Sequence, residues 1–291
     1  MSHAEVRSVD HLVLPVETLG SARSRLTALG FTVAADGYHP FGTVNACVFL
    51  ADGIYLEPLA VDDDEVAAAA IADGNVFVAR DKAFRQARPQ GVSAIVIASP
   101  DAEADQEAFV AAGVNGGKML EFSRPVRLPD GGESVASFRL AFAAREVEPF
   151  FLFACQRIAP LPADRGALER HANGATGLRR VFFYAPQPHL YADWLRRVFG
   201  VEGREAGNGA DNGAENGLVF DTANLSIEII HGETSDGRLL AEALVFTVAD
   251  LEVTAAVLTA NGVAHQRLPD ALIVPAAPGQ GVAFLFEENT P

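Results

Sequence analysis

The chain has 291 residues, 49% of them hydrophobic, and a formal net charge of −16. That length exceeds one ordinary core and points to two domains. The acidic excess argues against nucleic acid or an anionic membrane surface as partner, because both reward clustered Lys and Arg. No apolar run approaches the ~20 residues that span a bilayer, and the N-terminal MSHAEVRSVD has no apolar signal-like core. A cytoplasmic protein that handles a small molecule is expected, and an anionic substrate would need a local arginine to offset the overall field. The two cysteines, Cys47 and Cys155, lie in apolar strand-like runs and read as reduced, buried thiols.

Taken in chain order, one arrangement recurs four times: a short apolar strand, an amphipathic helix, then a hairpin of strands. Unit one runs from DHLVLPV through a helix over roughly 19–29 to NACVFLADGIYLEPL, whose Asp52-Gly53 is a strong hairpin turn. Unit two runs from VSAIVIASP through AEADQEAFVAAG to SVASFRLAF and EPFFLFACQ. Unit three runs from LRRVFFYAP through YADWLRRVFG to GLVFDTANLSIEIIH. Unit four runs from EALVFTVAD through VTAAVLTANG to GVAFLFEE. Each helix stops at or near a glycine: Gly30, Gly113, Gly200 and Gly262. The fold class is therefore α+β, four βαβββ modules pairing in chain order into two open half-barrels. Residues 1–158 form the first domain, the Pro/Gly/Ala-rich 159–176 a linker, and 177–291 the second domain. The polar run GREAGNGADNGAENG (203–217) reads as a mobile loop.

This chain resembles the vicinal oxygen chelate superfamily (glyoxalase, bleomycin resistance and extradiol dioxygenase proteins), and more narrowly its glyoxalase-like domain family. The residues that carry the resemblance are DHLVLPV, HPFGTVN (39–45), DGIYLEP, PFFLF and HANGATGL (171–178). The resemblance implies modules paired around a divalent metal, with a His or Glu ligand on the first and last strands of a module. Its members include lyases, isomerases and dioxygenases, and also proteins that sequester a ligand without metal.

The sequence offers those two positions directly. With Asp52-Gly53 as turn, Leu50 pairs with Ile54 and Cys47 falls opposite Glu57. Period two then puts Asn45, Cys47, Phe49, Tyr55 and Glu57 on one face, with His11 and Val13 converging from the first strand. The corresponding pairs are Ala94 and Phe153, Arg180 and Glu228, and Ala243 and Phe286. Only unit one joins an imidazole to a carboxylate, a set that suits Zn, Mn, Fe or Ni. Arg180 and Glu228 read as a buried ion pair, in a domain that is structural or a binding pocket.

Two ligands make a weak metal site, so the partner unit, which offers Ala94 and Phe153, would have to be supplemented. His39 and His171 are the candidates, each with a loop histidine as the plainer reading. Extending the hairpin reasoning to unit two puts Phe153 opposite Arg139, which would then point into the concavity and clamp an anionic substrate or pair with Glu57. Asn45, Tyr55 and Phe153 complete the expected substrate wall. Arg124 and Arg127 read as a solvated strand edge, Cys47 as wall, and His3, His189, His231 and His265 as surface.

The leading expectation is a metal-dependent glyoxalase-like enzyme acting on a small oxygen-rich substrate (hydroxy-keto, enediolate or catechol-like), with His11 and Glu57 as ligands or with Glu57 as general base. The alternative is a metal-free binding or resistance protein. A third reading is an oligomerisation module that pairs two copies into a homodimer.

Overall fold

The computed structural model describes residues 6–127, 132–158, 165–206 and 217–289. Most of the loop at 203–217, the start of the linker, and His3 therefore lie outside the described residues.

The first module contains β1 (Val9–Pro15), α1 (Leu19–Ala28), β2 (Gly37–Tyr38), β3 (Thr43–Asn45), β4 (Val48–Phe49) and β5 (Tyr55–Val61). Two helices that the repeat does not announce follow, α2 (Asp64–Ala72) and α3 (Val76–Ala87). The second module contains β6 (Ala94–Ala98), α4 (Ala102–Ala111), β7 (Leu120–Arg127), β8 (Glu133–Ala144) and β9 (Phe151–Arg157). The third contains β10 (Ala175–Ala185), a 3-10 turn at Pro188–Tyr191, α5 (Ala192–Phe199), β11 (Arg204–Glu205), β12 (Leu218–Asp221) and β13 (Ser226–His231). The fourth contains β14 (Leu240–Val248), α6 (Leu251–Ala260), β15 (Gln266–Arg267), β16 (Ala271–Val274) and β17 (Ala283–Glu288).

Local chemistry fixes the helix starts. Side chains of Thr18, Asp63, Asn75, Asp101 and Asp250 accept hydrogen bonds from the first-turn amides of α1, α2, α3, α4 and α6. At the end of α1, Gly30 takes φ +88°, and a Cβ there would come within 2.9 Å of Asn173 and 2.8 Å of Val257. Only glycine meets both demands.

Two sheets result, with strand orders β2-β3-β5-β1-β6-β9-β8-β7 (β4 also pairing with β5) and β11-β12-β13-β10-β14-β17-β16-β15. In each, a module's first strand runs parallel to its own last strand and antiparallel to the first strand of the neighbouring module. Modules therefore pair in chain order, and α+β half-barrels are what the sheets form.

The outer faces of both sheets, with α1, α4, α5 and α6, share one apolar core. Phe31, just past α1, stacks its ring 5.2 Å from Phe246 of the second sheet and 6.2 Å from Phe284 and Phe286. Phe150 stands 5.1 Å from Phe183. Polar ties cross the same boundary, among them Arg25 to Gln280 (2.8 Å) and Arg88 to Asp236 (2.6 Å) and the Leu239 carbonyl (2.9 Å).

The inner faces differ. That of the first sheet is a second apolar cluster closed over by Phe77 and Val78 of α3 and Ala67 of α2. No such helices lie between β13 and β14, and the inner face of the second sheet leaves Tyr184 exposed and Phe182, Ile230 and Leu285 half-exposed. Among the described residues, no helix is long and apolar enough to cross a membrane.

Because Phe31 joins both sheets, Phe31→Ala is expected to cost about 3–5 kcal/mol. Chemical denaturation followed by Trp194 fluorescence should still give one transition, at lower denaturant. Two separated transitions in the wild type would contradict a shared core.

Candidate functional site

The concavity of the first sheet is a pocket that encloses about 790 Å³, counting the part open to solvent. Its floor is built on β1 and β5. These strands are parallel neighbours, and β4 pairs with β5 in the register Phe49 to Tyr55 and Val48 to Leu56 that the Asp52-Gly53 turn dictates. That register places Asn45, Cys47, Phe49, Tyr55 and Glu57 on the cavity side with His11.

His11 is 3% exposed and lies between two carboxylates: its Nδ1 is 2.6 Å from Asp10 Oδ2 and its Nε2 is 3.3 Å from Glu57 Oε2. Asp10 precedes His11 directly, so plain alternation would turn it to the opposite face. A register shift between Val9 and His11 against β6 bulges the strand there and brings both side chains together. Behind them, Arg157 at the end of β9 holds both Asp10 oxygens, at 2.7 and 2.8 Å. The Tyr55 ring stacks on the imidazole at 4.3 Å. Glu57 accepts from Asn45 Nδ2 at 2.5 Å through its other oxygen.

The charges follow from these contacts. Burial works against the imidazolium, but the hydrogen bonds and charges of Asp10 and Glu57 outweigh it and hold the His11 pKa above 6.5. Burial likewise works against the Glu57 carboxylate, yet His11 overrides it, with help from His39 and Asn45, and Glu57 falls to about 2. Asp10 is held well below the usual carboxylate range: burial opposes this, and His11 and Arg157 prevail. The contacts thus favour the charged form of all three side chains at the floor.

His39 is the opposite case. Burial pushes it down to about 4, so it is neutral at pH 7. Its Nδ1 meets Thr43 Oγ1 at 2.9 Å, and its Nε2 stands 3.4 Å from Asn45 Nδ2 and 3.8 Å from Glu57 Oε1.

Several expectations need correction. Arg139 lies outside the cavity and pairs with Glu121 (2.8 Å) and Glu103 (3.1 Å). The β8–β9 register sets Phe153 opposite Phe142 and Arg139 opposite Gln156, three residues from the expected pairing. An odd slip turns every side chain over, so Phe138, Leu140 and Phe142 face the cavity. His171 is absent from the site: its Nδ1 accepts from the Thr32 amide (3.0 Å) and its Nε2 donates to the Phe49 carbonyl (2.9 Å), clamping the inter-sheet segment to β4 and to the stretch after α1.

Arg180 pairs with Glu287, not Glu228, and Phe286 belongs to the shared outer core. Arg124, expected at a solvated edge, lines the cavity; the Arg127 side chain lies outside the described residues. His189 and His231 are exposed, and His265 is half-buried. Cys47 and Cys155 are free and buried, their thiol pKa values pushed up chiefly by burial, which suits wall rather than nucleophile.

Paired βαβββ modules of this kind are the fold of the vicinal oxygen chelate type. Residues 9–199 match the glyoxalase-like domain family, and the chain belongs to that family. No curated protein matches the sequence. Among solved structures, a hypothetical protein from Staphylococcus aureus superposes with a TM-score of 0.68 at 13% identity, covering 97% of this chain and 99% of that one. A triple mutant of 4-hydroxymandelate synthase from Streptomyces coelicolor gives 0.59 at 14% identity, covering 98% and 93%. A fusion protein of a xylose isomerase-like TIM barrel with 4-hydroxyphenylpyruvate dioxygenase gives 0.61 at 12% identity, covering 99% of this chain and 49% of that one. At these identities the likeness is one of fold.

The superfamily implies a divalent metal, and the donors available can be weighed against it. Among the described residues, no three His, Cys, Asp or Glu side chains are grouped so as to hold one ion. Glu57 spends one oxygen on His11 and the other on Asn45. Catalytic ions usually take three protein ligands, so this donor set does not fit a resident metal.

The titrations set the stability profile. A raised His11 contributes stability that is complete below 6.5 and is lost as pH rises through its higher folded value. A depressed His39 contributes above 6.5 and loses its contribution as pH falls through about 4, and Glu57 does so from 4.5 toward about 2. The thermal midpoint should therefore peak near pH 6.5, and calorimetry of His11→Gln should show the alkaline decline diminished. An unchanged alkaline limb would refute the buried imidazolium.

Proposed function

We propose that the protein is a glyoxalase-like enzyme that moves a proton on a small oxygen-rich substrate, of hydroxy-keto or enediolate type, held against His11 and Glu57. The observation that carries this reading is the buried imidazole set between two carboxylates at the floor of a concave pocket. Burying such charges is costly, and strongly perturbed groups in a cleft mark functional sites.

The geometry suits acid–base work. The contact between His11 Nε2 and Glu57 is long, at 3.3 Å, so a substrate oxygen can take the Nε2 proton in its place. Asp10 and Arg157 keep the ring from turning. The charge on His11 is what holds Glu57 near 2. Once His11 has protonated the substrate oxygen, Glu57 loses that support and becomes the stronger base toward a neighbouring C–H. Neutral His39 accepts a hydrogen bond from a second substrate oxygen through Nε2.

A second reading, sequestration of a ligand without turnover, draws support from the aromatic walls formed by Phe41, Phe77, Phe122 and Phe153. One experiment separates the two. Hydroxy-ketones incubated in D2O with the protein and a chelator should show exchange at the carbon next to the carbonyl by NMR. Glu57→Gln should reduce that exchange by roughly 10²–10⁴-fold. Binding of the same compounds without exchange would favour sequestration, and exchange abolished by the chelator would restore the metal.

A further inference from the structure

The proton-transfer reading leaves open what the cavity recognises, and the following rests on that reading. Charges around the cavity are unevenly spent. Arg157 is consumed by Asp10 and Glu57 is matched by His11. Arg124 and Arg165 also line the cavity. Arg165 lies over the Phe49 ring at 4.4 Å. Arg124 has its Nε buried with no hydrogen-bond partner, and a buried donor left unpaired costs stability unless a ligand completes it.

The position of Arg124 is defined from two sides. A Cβ on Gly37 would come within 1.9 Å of Arg124 Nη1 and 2.6 Å of Asn45 Oδ1, so the guanidinium lies against bare backbone beside the Asn45 amide. Across the β7–β8 ladder Arg124 faces Ala136, whose small side chain leaves room in front of it. Two residues back on β7, ~7 Å along the strand, Phe122 pairs with Phe138 in a stacked contact at 5.1 Å, and Phe41 meets the Phe122 ring edge-on at the same distance. A cation and an aromatic wall thus stand side by side on one face, in a protein whose net charge of −16 repels anions elsewhere.

We infer that the cavity takes an aromatic carboxylate, its acid group on Arg124 and its ring against the wall of Phe122, Phe138 and Phe41. The guanidinium offers the planar pair of donors that a carboxylate matches, and ring faces and edges reward an aromatic body over an aliphatic one. An oxygen on the remaining arm then reaches His11 and Glu57.

Isothermal titration calorimetry with 3-phenylpropionate, its amide and 3-cyclohexylpropionate tests this without turnover. The acid should bind the wild type ~10-fold or more tighter than the amide. Arg124→Gln should abolish that preference. Gly37→Ala keeps the charge but pushes the flexible guanidinium aside, and should weaken the acid while leaving the amide unchanged. Equal affinities for acid and amide, an unaffected Arg124→Gln, or no binding of the acid would overturn the proposal, and cyclohexylpropionate binding as tightly as the aryl acid would overturn its aromatic half. Charge-selective binding in a protein that exchanges no protons would refute the proton-transfer reading alone. Proton exchange in a protein indifferent to the acid group would refute this inference alone.

Discussion

Asp10, His11 and Glu57 form a line of three charges, each less than a tenth exposed, and the first sheet is arranged around keeping them charged. Removing ions from water costs several kcal/mol each. That cost is offset only because the signs alternate and each carboxylate has a further donor, Arg157 on one side and Asn45 on the other. The bulge in β1 puts Asp10 on the same face as its neighbour. The parallel pairing of β1 with β5 brings Glu57 across, and the end of β9, from the partner module, delivers Arg157. The module pair is thus the smallest unit that can hold the line, because Arg157 comes from the second module and the other residues from the first.

The second sheet shows what the same scaffold does without that constraint. It repeats the strand order and the bulge: a register shift between Leu178 and Arg180 of β10 sets Arg179 and Arg180 together, both reaching Glu287. Two adjacent cations cannot alternate charge as Asp10 and His11 do. The helices α2 and α3, which roof the first concavity, have no counterpart, so the second inner face stays open to solvent. Its outer face is indispensable all the same, since Phe246, Phe284 and Phe286 receive Phe31 and complete the shared core.

Much of this was legible in the sequence, and for physical reasons. Helices with an apolar stripe and strands with alternation repeat visibly, and Asp52-Gly53 fixes a register that carries Glu57 to the correct face. Where no turn residue pins the register, the reading slipped. The connection between β8 and β9 has no such signal, and an odd shift from the true register there turns Arg139 inward. Asp10 was hidden by the bulge, which period-two reasoning cannot see. Arg157 was hidden because it just precedes the stretch 159–176 that reads as linker, and Arg165 because it lies within it. His171 was plausible as a ligand from its neighbours in sequence, yet both its nitrogens serve the backbone of distant segments.

The measurement that tests the central claim most directly is the protonation state of His11, read by 15N NMR on histidine-labelled protein with His11→Gln to assign the resonance. An imidazole whose titration midpoint lies above 6.5 is the predicted result, alongside a His39 that titrates near 4. A His11 midpoint at or below 6.5 would contradict it: burial would then outweigh the two carboxylates, and the acid–base pair would not exist.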